Sequence, residues 1–518
     1  MLARVRSAAV LGVDAYLIDV EVDIANGLPS FSTVGLPAGA VREGRERVGA
    51  ALVNAGYEMP LKRITVNLAP ADIRKEGSAL DLPIALAILV ASGQLPADAI
   101  DRQVAVGEVG LEGDLRPVRG VLSMALAARG AGCAGILVPA ANAAEAAVVD
   151  AIEVRGAGSL QAVCAHLAGK APLARVRIDP HTLMNQRPDD FVDFADVRSQ
   201  AAAKRALEVA AAGSHNLLLV GPPGAGKTML ARRLPSILPA MTLDEALETT
   251  KVHSVAGVLG AGQALTTTRP FRAPHHSISD AGLIGGGTWP RPGEVSLAHG
   301  GVLFLDELPE FRKHVLEVLR QPMEDGFVTL SRAAMSLTFP ARFMLAAAMN
   351  PCPCGHHGDP IRECRCDAPT VERYLARLSG PLLDRIDLHL QVPAVPFREL
   401  SAERHGESSA TIRARVSAAR SIQQARFRGR TGIHANAHMS PRDLRQFCRL
   451  SPDAEQLLRN AVQRLGLSAR AYHRVLKIAR TIADLAGVPT IEPVHVGEAV
   501  QYRTLDRRGV PVPGARGP

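Results

Sequence analysis

The first third of the chain alternates between two kinds of hydrophobic pattern. Strand-like apolar runs and Ala-rich helical stretches follow one another, at residues 16–22 and 64–68 for the strands and at residues 41–55 and 82–91 for the helices. Residues 107–120 have the glycine spacing of a hairpin followed by a helix. This mixture predicts one α+β domain over residues 1–170.

The middle of the chain contains apolar runs that are too continuous for half-exposed strands. They lie at residues 217–220, 302–305 and 343–349. Such runs are typical of parallel strands that are covered on both faces. A fourth run, from Ile386, alternates apolar and polar residues and predicts a half-exposed strand. We therefore expect an α/β core over residues 190–395, after a basic, Pro-containing linker at residues 171–189.

The last quarter of the chain has a helical and basic pattern. Ser440-Pro441 and Ser451-Pro452 are typical helix starts, with Ser at the N-cap and Pro in the first turn. A further helix is predicted to begin after Ser468, with an apolar stripe at Val475, Ile478, Ile482 and Leu485. These signals predict an all-α domain over residues 396–506, followed by a disordered Gly/Pro/Arg-rich tail at residues 507–518.

Composition narrows the class of protein. A length of 518 residues predicts roughly three domains, and an apolar content of 47% is ample for their cores. No run reaches the ~18–20 apolar residues of a membrane span, and Asp14 and Asp19 interrupt any signal-peptide core. The seven cysteines favour a reducing compartment, so we expect a cytoplasmic protein without a membrane partner.

The net charge favours a polyanionic partner. The chain carries a formal charge of +8 and an isoelectric point near 9.3. One stretch without acidic residues is a candidate nucleic-acid contact, although a solvated helix face explains it equally well. Its arginines are Arg413, Arg415, Arg420, Arg426, Arg428 and Arg430.

The clearest chemical motif directly follows the apolar run at residues 217–220. It is the P-loop pattern G-x-x-x-x-G-K-[ST], in the strand–turn–helix context that the pattern requires. Its residues are Gly221, Pro222, Pro223, Gly224, Ala225, Gly226, Lys227 and Thr228. Backbone N–H groups and Lys227 are predicted to hold the phosphates of ATP, and the Thr228 hydroxyl is predicted to ligate Mg²⁺.

Two carboxylates and an amide follow the next apolar runs. Asp306 and Glu307 end the run at residues 302–305, and Asn350 ends the run at residues 343–349. Open α/β sheets place their chemistry at the carboxyl ends of strands. Asp306 is predicted to hold Mg²⁺, and Glu307 to deprotonate the water that attacks the γ-phosphate.

Four of the cysteines are clustered. Cys352, Cys354, Cys364 and Cys366 form two C-x-C pairs with nine residues between them. Four thiolates can close a tetrahedral Zn²⁺ site that braces a loop without taking part in catalysis. Free cysteines are the alternative, and His356 or His357 can substitute as ligands.

The N-terminal region resembles the Lon-protease-type domain, through residues 75–79 and 107–120. Those proteases need a serine nucleophile and a lysine base. The resemblance puts Ala79 at the serine position and Leu122 at the lysine position, and Ser78 is one residue away. It therefore implies a scaffold without the dyad, in which peptidase activity is not expected. Proteolysis through Ser78 is the minor alternative.

The middle region resembles AAA+ ATPases. Residues 193–200 are similar to the segment that folds over adenine, although a helix N-cap explains them equally well. Asn350 resembles the sensor-1 amide, although a turn-forming role is the alternative. Inserts at residues 271–288 and 326–339 resemble those that line the pore of hexamers in the Mg-chelatase/MCM branch. Arg332, at the second insert's tip, could touch a phosphate backbone or be an ordinary surface arginine.

Two further arginines take roles from the same resemblance. Arg385 resembles the arginine finger that reaches the γ-phosphate of the neighbouring subunit, the alternative being a pair with Asp384 or Asp387. Arg470 lies in the first turn of its helix, where a cation opposes the helix dipole, and this suggests a compensating anion. It resembles the sensor-2 arginine, with Arg474 as second choice.

Taken over the whole chain, the order of motifs resembles the ComM/YifB family of Mg-chelatase-subunit-like AAA+ ATPases. The resemblance implies a hexameric ATP-driven motor on single-stranded or branched DNA, which promotes branch migration in natural transformation. The alternative is a chelatase-like or MoxR-like remodeller that does not depend on DNA.

Overall fold

The computed structural model describes residues 1–185, 192–260, 262–287, 289–332, 335–359, 362–394, 406–430 and 432–503. The predicted tail at residues 507–518 lies outside the described residues. So do Thr288 of the first insert, the tip of the second insert at residues 333–334, the side chain of Arg332, and the predicted boundary at residues 395–396.

An eight-stranded sheet forms the N-terminal region. In spatial order its strands are Arg175–Val176, Glu153–Ala157, Gly135–Pro139, Gln103–Ala105, Leu2–Leu11, Asp14–Ala25, Arg63–Ala69 and Ser30–Val34. The two long strands pair antiparallel, with Leu2 opposite Asp23 and Leu11 opposite Asp14. The strands predicted at residues 16–22 and 64–68 are confirmed.

The helices of this region cover the sheet. They are Gly39–Asn54, Asp81–Ala91, Val121–Gly130, Ala143–Ala146, Leu160–Leu167 and Pro180–Asn185. Every residue of Asp81–Ala91 is buried, because this apolar helix packs between the sheet and Gly39–Asn54. The predicted hairpin is confirmed, with Glu108–Val109 antiparallel to Leu115–Arg116 ahead of the helix Val121–Gly130.

The segment predicted as a linker contains regular structure. Arg175–Val176 pairs with Val154 and Arg155 at the edge of the N-terminal sheet. The helix Pro180–Asn185 follows, and its Leu183 and Met184 pack against a small apolar cluster at the start of the helix Leu243–Ala256. The segment therefore packs on both neighbouring regions.

A five-stranded parallel sheet forms the centre of the molecule. Its strands, in spatial order, are Phe271–Arg272, Val302–Leu305, Met344–Met349, Leu217–Val220 and Leu388–Gln391. Because all five run in one direction, their carboxyl ends meet at one edge. The chain is thus a mixed α/β protein with a parallel core, as predicted. The half-exposed strand predicted from Ile386 is wrong in its burial, since His389 is 1% exposed.

Short helices surround this sheet. They are Ala201–Gly213, Lys227–Arg232, Leu234–Ile237, Leu243–Ala256, Asp280–Ile284, Glu294–Leu297, Lys313–Glu317, Arg320–Asp325, Ala368–Leu375 and Gly380–Leu383. Both predicted inserts contribute to hairpins. Gly285–Gly286 of the first pairs with Arg291–Pro292, which lies just beyond its predicted end, and Phe327–Arg332 of the second pairs with Met335–Pro340. A Cβ on Gly285 would be 3.1 Å from Leu330, so the two hairpins lie against each other.

Helices make up the regular structure of residues 406–430 and 432–503. They are Ser409–Arg426, Pro441–Phe447, Pro452–Leu465, Ala469–Leu485 and Pro493–Gln501, with a single 3₁₀ turn at Asn436–His438. The side chains of Ser440, Ser451 and Ser468 accept N-cap hydrogen bonds as predicted. The apolar stripe predicted after Ser468 packs into the main core, with Val475, Ile478 and Ile482 buried.

A buried polar network joins these helices to the core sheet. His215 Nδ1 lies 3.3 Å from Asp387 Oδ2, and its Nε2 lies 2.8 Å from Thr481 Oγ1. Arg474 pairs with the other oxygen of Asp387. Burial raises the pKa of Asp387, but Arg474 and His215 outweigh that effect and hold it well below its usual range. The start of the strand Leu388–Gln391 is therefore tied to the helix Ala469–Leu485.

Candidate nucleotide site and arginine edge

The backbone of residues 221–228, the P-loop, curls between the strand Leu217–Val220 and the helix Lys227–Arg232. Gly224 and Gly226 have φ angles of 77° and 85°, which residues with a side chain rarely adopt. Gly221 lies so close to the carbonyl of Val392 that a Cβ there would overlap it. The glycines of the motif are therefore required by the shape of the loop.

Lys227 connects the P-loop to the strand Met344–Met349. Its ammonium donates to the carbonyl oxygens of Gly221 (2.7 Å) and Pro222 (2.9 Å) and to Asn350 Oδ1 (3.1 Å). Burial lowers the pKa of Lys227, and Asp306 and Glu307 partly oppose that shift. Lys227 and Asn350 therefore lie together, as the prediction for these two residues requires.

Thr228 and Asp306 present two hard oxygen donors to the same point. The Thr228 hydroxyl donates to Asp306 Oδ2 at 2.6 Å. A hydroxyl and a carboxylate, beside a loop shaped for phosphate, are the ligands that Mg²⁺ takes when it is bound with a nucleotide. The donor set therefore fits the predicted metal.

Glu307 points away from the core, with its side chain 59% exposed. It has a φ angle of 52°, and its N–H donates to Asp306 Oδ1 at 2.9 Å. His276 of the first insert lies beside it, with 3.4 Å between Nδ1 and Glu307 Oε2. Sequence reasoning placed His276 in an insert without linking it to Glu307. The adjacent pair His275-His276 was the available signal.

Gln200 is a second neighbour of the P-loop. It precedes the helix Ala201–Gly213, has a φ angle of 55°, and donates from Nε2 to the Ala225 carbonyl at 2.7 Å. The segment at residues 193–200 therefore ends against the P-loop. The Gln200 side chain makes no cap hydrogen bond, whereas Asp193 caps the 3₁₀ helix Phe194–Asp196. The adenine contact stays a prediction.

Arg385 lies at the opposite end of the core sheet. Its carbonyl accepts from the side chain of Asn216 at 3.0 Å, and Asn216 precedes the strand that leads into the P-loop. Four strand residues span about 13 Å, so Arg385 is distant from Lys227 in the same chain. The guanidinium pairs with Glu324 and donates to the Pro381 carbonyl at 2.6 Å. The alternative prediction, that Arg385 pairs with Asp384 or Asp387, is therefore wrong.

Arg470 and Arg474 lie at the same end as Arg385. Arg470 is 67% exposed, and its Nη1 lies 4.0 Å from Asp384 Oδ2. Arg474 is largely buried in its pair with Asp387. We name Arg385, Arg470 and Arg474 the arginine edge. The structure thus brings together five predicted site residues, Lys227, Thr228, Asp306, Glu307 and Asn350, and places Arg385 and Arg470 elsewhere.

The basic stretch at residues 413–430 is not a free cationic surface. Arg415 pairs with Glu208 and Glu407, Arg426 with Asp484, and Arg430 with Asp443. Arg413 donates to the Ser236 carbonyl and Arg420 to the Ala211 carbonyl. Five of its six arginines therefore already bind groups of this chain, and the candidate nucleic-acid contact stays a prediction.

The four clustered cysteines converge on one point. Their sulfur atoms all lie within 4.8 Å of one another, and three of the separations are 3.4, 3.6 and 3.7 Å. Zn–S bonds of tetrahedral geometry require sulfur separations of about 3.8 Å. N–H groups of His356 and Arg365 donate to Cys354 and lower its pKa to about 6. The side chain of His356 points to Asp359, with 2.9 Å between Nδ1 and Oδ2, so only its backbone contacts the cluster.

The positions that resemble the Lon dyad are apolar and inert. Ala79 and Leu122 are both buried, and the Leu122 N–H donates to Glu145 Oε1 at 2.8 Å. The nearby Ser78 hydroxyl donates to Glu108, and Lys75 donates to the Pro70 carbonyl. No hydrogen bond joins Ser78 to Lys75 in this described part of the chain.

A parallel sheet with a P-loop and an Asp-Glu pair at its carboxyl edge defines a nucleotide-binding P-loop protein. The described helices include none with the length and apolarity to cross a bilayer. Three family models match the chain. "Magnesium chelatase, subunit ChlI" matches residues 193–400, "Subunit ChlI of Mg-chelatase" residues 20–142, and "Magnesium chelatase, subunit ChlI C-terminal" residues 406–503.

Relatives that align with nearly the whole chain point to the same family as these models. YifB of Salmonella typhimurium is 48% identical, and the competence protein ComM of Haemophilus influenzae is 47% identical, each over 98% of both chains. Lon protease 2 of Bacillus subtilis is 32% identical over 28% of this chain and 27% of its own. The chain belongs to the YifB/ComM family of Mg-chelatase-like AAA+ ATPases.

Proposed function

We propose that this protein is a ring-forming ATPase, hexameric like the rings that its inserts resemble, which uses ATP hydrolysis to move single-stranded or branched DNA. The observation that carries the proposal is the separation of Arg385 from Lys227. The phosphate-binding groups and the arginine edge lie at opposite ends of one parallel sheet, so a chain can complete the site of a neighbour but not its own.

ATP would bind with its phosphates along the P-loop. Lys227 would exchange its carbonyl partners for phosphate oxygens, and Gln200 would border the adenosine end. Mg²⁺, held by Thr228 and Asp306, would neutralise charge on the phosphates. Asn350 would help to place the lytic water, and Glu307 would take its proton.

Arg385 would complete the site of the adjacent subunit. A guanidinium offers two parallel donors to phosphate oxygens, and this geometry stabilises the charge of the transition state. To reach it, Arg385 must leave Glu324. Glu324 is 55% exposed and is readily hydrated when it is left alone, whereas the Arg385 side chain is 9% exposed and must turn outward to reach a neighbour. Arg470 would reach the same γ-phosphate from the C-terminal helices.

The DNA part of the proposal has two supports. The relative ComM is named a competence protein, and the chain carries a net charge of +8. Because residues 413–430 are largely occupied by internal partners, the inserts are the better candidate contact. Integration of single-stranded DNA by branch migration in natural transformation is the process that we assign.

The test is ATP turnover with and without a synthetic four-way junction, together with the mass of the assembly in ATP. We expect turnover to rise several-fold with the junction, and the stimulation to fall steeply with salt because phosphate contacts release counterions. We also expect a hexameric mass. A DNA-indifferent ATPase would favour the second candidate, a chelatase-like or MoxR-like remodeller, which the match to the ChlI models supports.

Three smaller assignments accompany this function. Zn²⁺ fits the four-cysteine cluster, whose sulfur separations suit a tetrahedral site. We place the protein in the cytoplasm, where reduced thiols persist.

The N-terminal region would serve as a peptidase-inactive scaffold, since Ala79 and Leu122 supply neither nucleophile nor base. If a serine-reactive probe labels the wild type but not Ser78→Ala, the scaffold assignment is overturned.

A further inference from the structure

The cysteine loop, residues 352–366, is in direct contact with the P-loop. Its first turn runs from Cys352 to Gly355 and is closed by the Gly355 N–H, which donates to the Cys352 carbonyl at 3.0 Å. Gly355 has a φ angle of 85°, and a Cβ on it would overlap the ring of Pro223. The turn is therefore pressed against the phosphate-binding loop as closely as a glycine allows.

Both ends of the cysteine loop are anchored to the core. Asn350, two residues before Cys352, accepts a hydrogen bond from Lys227. After Cys366, Asp367 caps the helix Ala368–Leu375, whose Tyr374 is buried in the core. A displacement of the loop would therefore reach the P-loop from two sides, through Asn350 and through Pro223.

The loop has little apolar packing of its own. Within its described residues, 352–359 and 362–366, Cys352 and Gly355 are the buried ones. A segment of this kind does not bury enough apolar surface to offset the entropy of ordering its backbone. The convergence of four sulfurs on one point offers another source of order, because metal–thiolate bonds can hold such a loop in one conformation.

We propose that Zn²⁺ on Cys352, Cys354, Cys364 and Cys366 holds the Gly355 turn against Pro223 and so keeps the P-loop in its phosphate-binding shape. The cluster then supports nucleotide affinity, and loss of the metal weakens ATP binding. This inference rests on the zinc and ATP assignments above, but it does not depend on DNA or on a ring.

Two glycines of the loop provide a matched pair of variants. Gly355 and Gly358 both have positive φ angles, 85° and 76°, so an alanine strains the backbone similarly at either position. A Cβ on Gly355 meets Pro223, whereas a Cβ on Gly358 has no atom within 4 Å among the described residues. Gly355→Ala should weaken binding of a fluorescent ATP analogue about tenfold, and Gly358→Ala should leave it unchanged.

The metal is tested on the wild-type protein. Elemental analysis should find about one zinc per chain, as a closed four-thiolate site requires. A zinc-selective chelator, used with excess Mg²⁺, should weaken binding of the analogue about tenfold, and added Zn²⁺ should restore it. Loss of zinc in Gly355→Ala but not in Gly358→Ala would also support the link between turn and metal.

Three outcomes would contradict the proposal. Equal affinity in both glycine variants would show that the contact with Pro223 does not support the P-loop. Absence of zinc from the reduced protein, or unchanged affinity after its removal, would overturn the role of the metal. Because affinity is measured without DNA and without turnover, failure of DNA stimulation would leave this inference standing, and the reverse also holds.

Discussion

The two ends of the core sheet are built in different ways. At the carboxyl end the candidate groups bind one another, with Lys227 on Asn350 and Thr228 on Asp306. At the amino end each arginine faces a carboxylate, Glu324 for Arg385, Asp384 for Arg470 and Asp387 for Arg474. At the carboxyl end the candidate groups are hydrogen-bonded to one another. At the amino end each arginine is held by a separate carboxylate, and these carboxylates differ in how far they are exposed to water.

This difference separates exchangeable arginines from a structural one. Glu324 and Asp384 are 55% and 41% exposed, so water can hydrate either carboxylate when its arginine leaves. Asp387 is 5% exposed, so Arg474 cannot leave it without stranding a buried charge. The comparison indicates that Arg385 and Arg470 can leave their carboxylates at less cost than Arg474. Arg385, which is only 9% exposed, must also turn its guanidinium out of a buried position.

The largest expected effect comes from removing Arg385. Arg385→Ala should lower ATP turnover about a thousandfold, the usual contribution of a guanidinium that stabilises the phosphoryl transition state from outside the P-loop. Affinity for an ATP analogue should stay within about twofold, because the arginine touches no phosphate in its own chain. Steady-state turnover and analogue titration measure the two quantities.

Arg459→Ala is a suitable control for this variant. Arg459 forms an exposed pair with Glu455 on the helix Pro452–Leu465, so the variant removes the same charge from a surface outside both ends of the sheet. We expect it to turn over ATP like the wild type. Normal turnover in Arg385→Ala would move the finger role to another residue.

At the carboxyl end, Glu307→Gln should lower turnover about a hundredfold while ATP still binds, because an amide cannot take the proton of the attacking water. Mixing this variant with Arg385→Ala gives a sharper result. A site with Glu307 from one protomer and Arg385 from the other contains both groups, so the mixture should regain turnover that neither variant has. A mixture as inactive as its components would argue against a shared site.

The carboxyl end could be predicted from the sequence because its determinants are local. The P-loop is a short motif, and an apolar run followed by Asp306 and Glu307 specifies both a strand and what ends it. Parallel strands then bring these ends together. The same locality explains why the N-caps at Ser440, Ser451 and Ser468 were predicted correctly.

The amino end could not be predicted in the same way, because its partners are distant in sequence. Arg385 takes Glu324 from a helix 61 residues earlier, in preference to the adjacent Asp384 or Asp387. The arginines of residues 413–430 were expected to face solvent or nucleic acid, but Arg415, Arg426 and Arg430 pair with carboxylates from other helices. His389 alternates like an exposed residue, yet tertiary packing buries it.

A smaller effect is expected on nucleotide affinity. Lys227→Ala should weaken binding of an ATP analogue about thirtyfold, since a charged hydrogen bond to phosphate is worth ~2 kcal/mol. Lys170→Ala, which removes an exposed lysine of the N-terminal region, is the control and should bind like the wild type. Titration by fluorescence anisotropy measures both. Unchanged affinity in Lys227→Ala would mean that the P-loop lysine does not touch the phosphates.

The smallest effect on turnover is expected from Arg470, and its neighbour Arg474 gives the contrast. Arg470→Ala should lower turnover about tenfold without changing the melting temperature, because it removes one exposed contact to a charge. Arg474→Ala should instead destabilise the fold by ~3 kcal/mol, since Asp387 would stay buried without its cation. Turnover and thermal unfolding, measured on both variants, separate the two roles. If Arg474→Ala lowers turnover at an unchanged melting temperature while Arg470→Ala does nothing, the carboxylate partners do not decide which arginine is exchangeable.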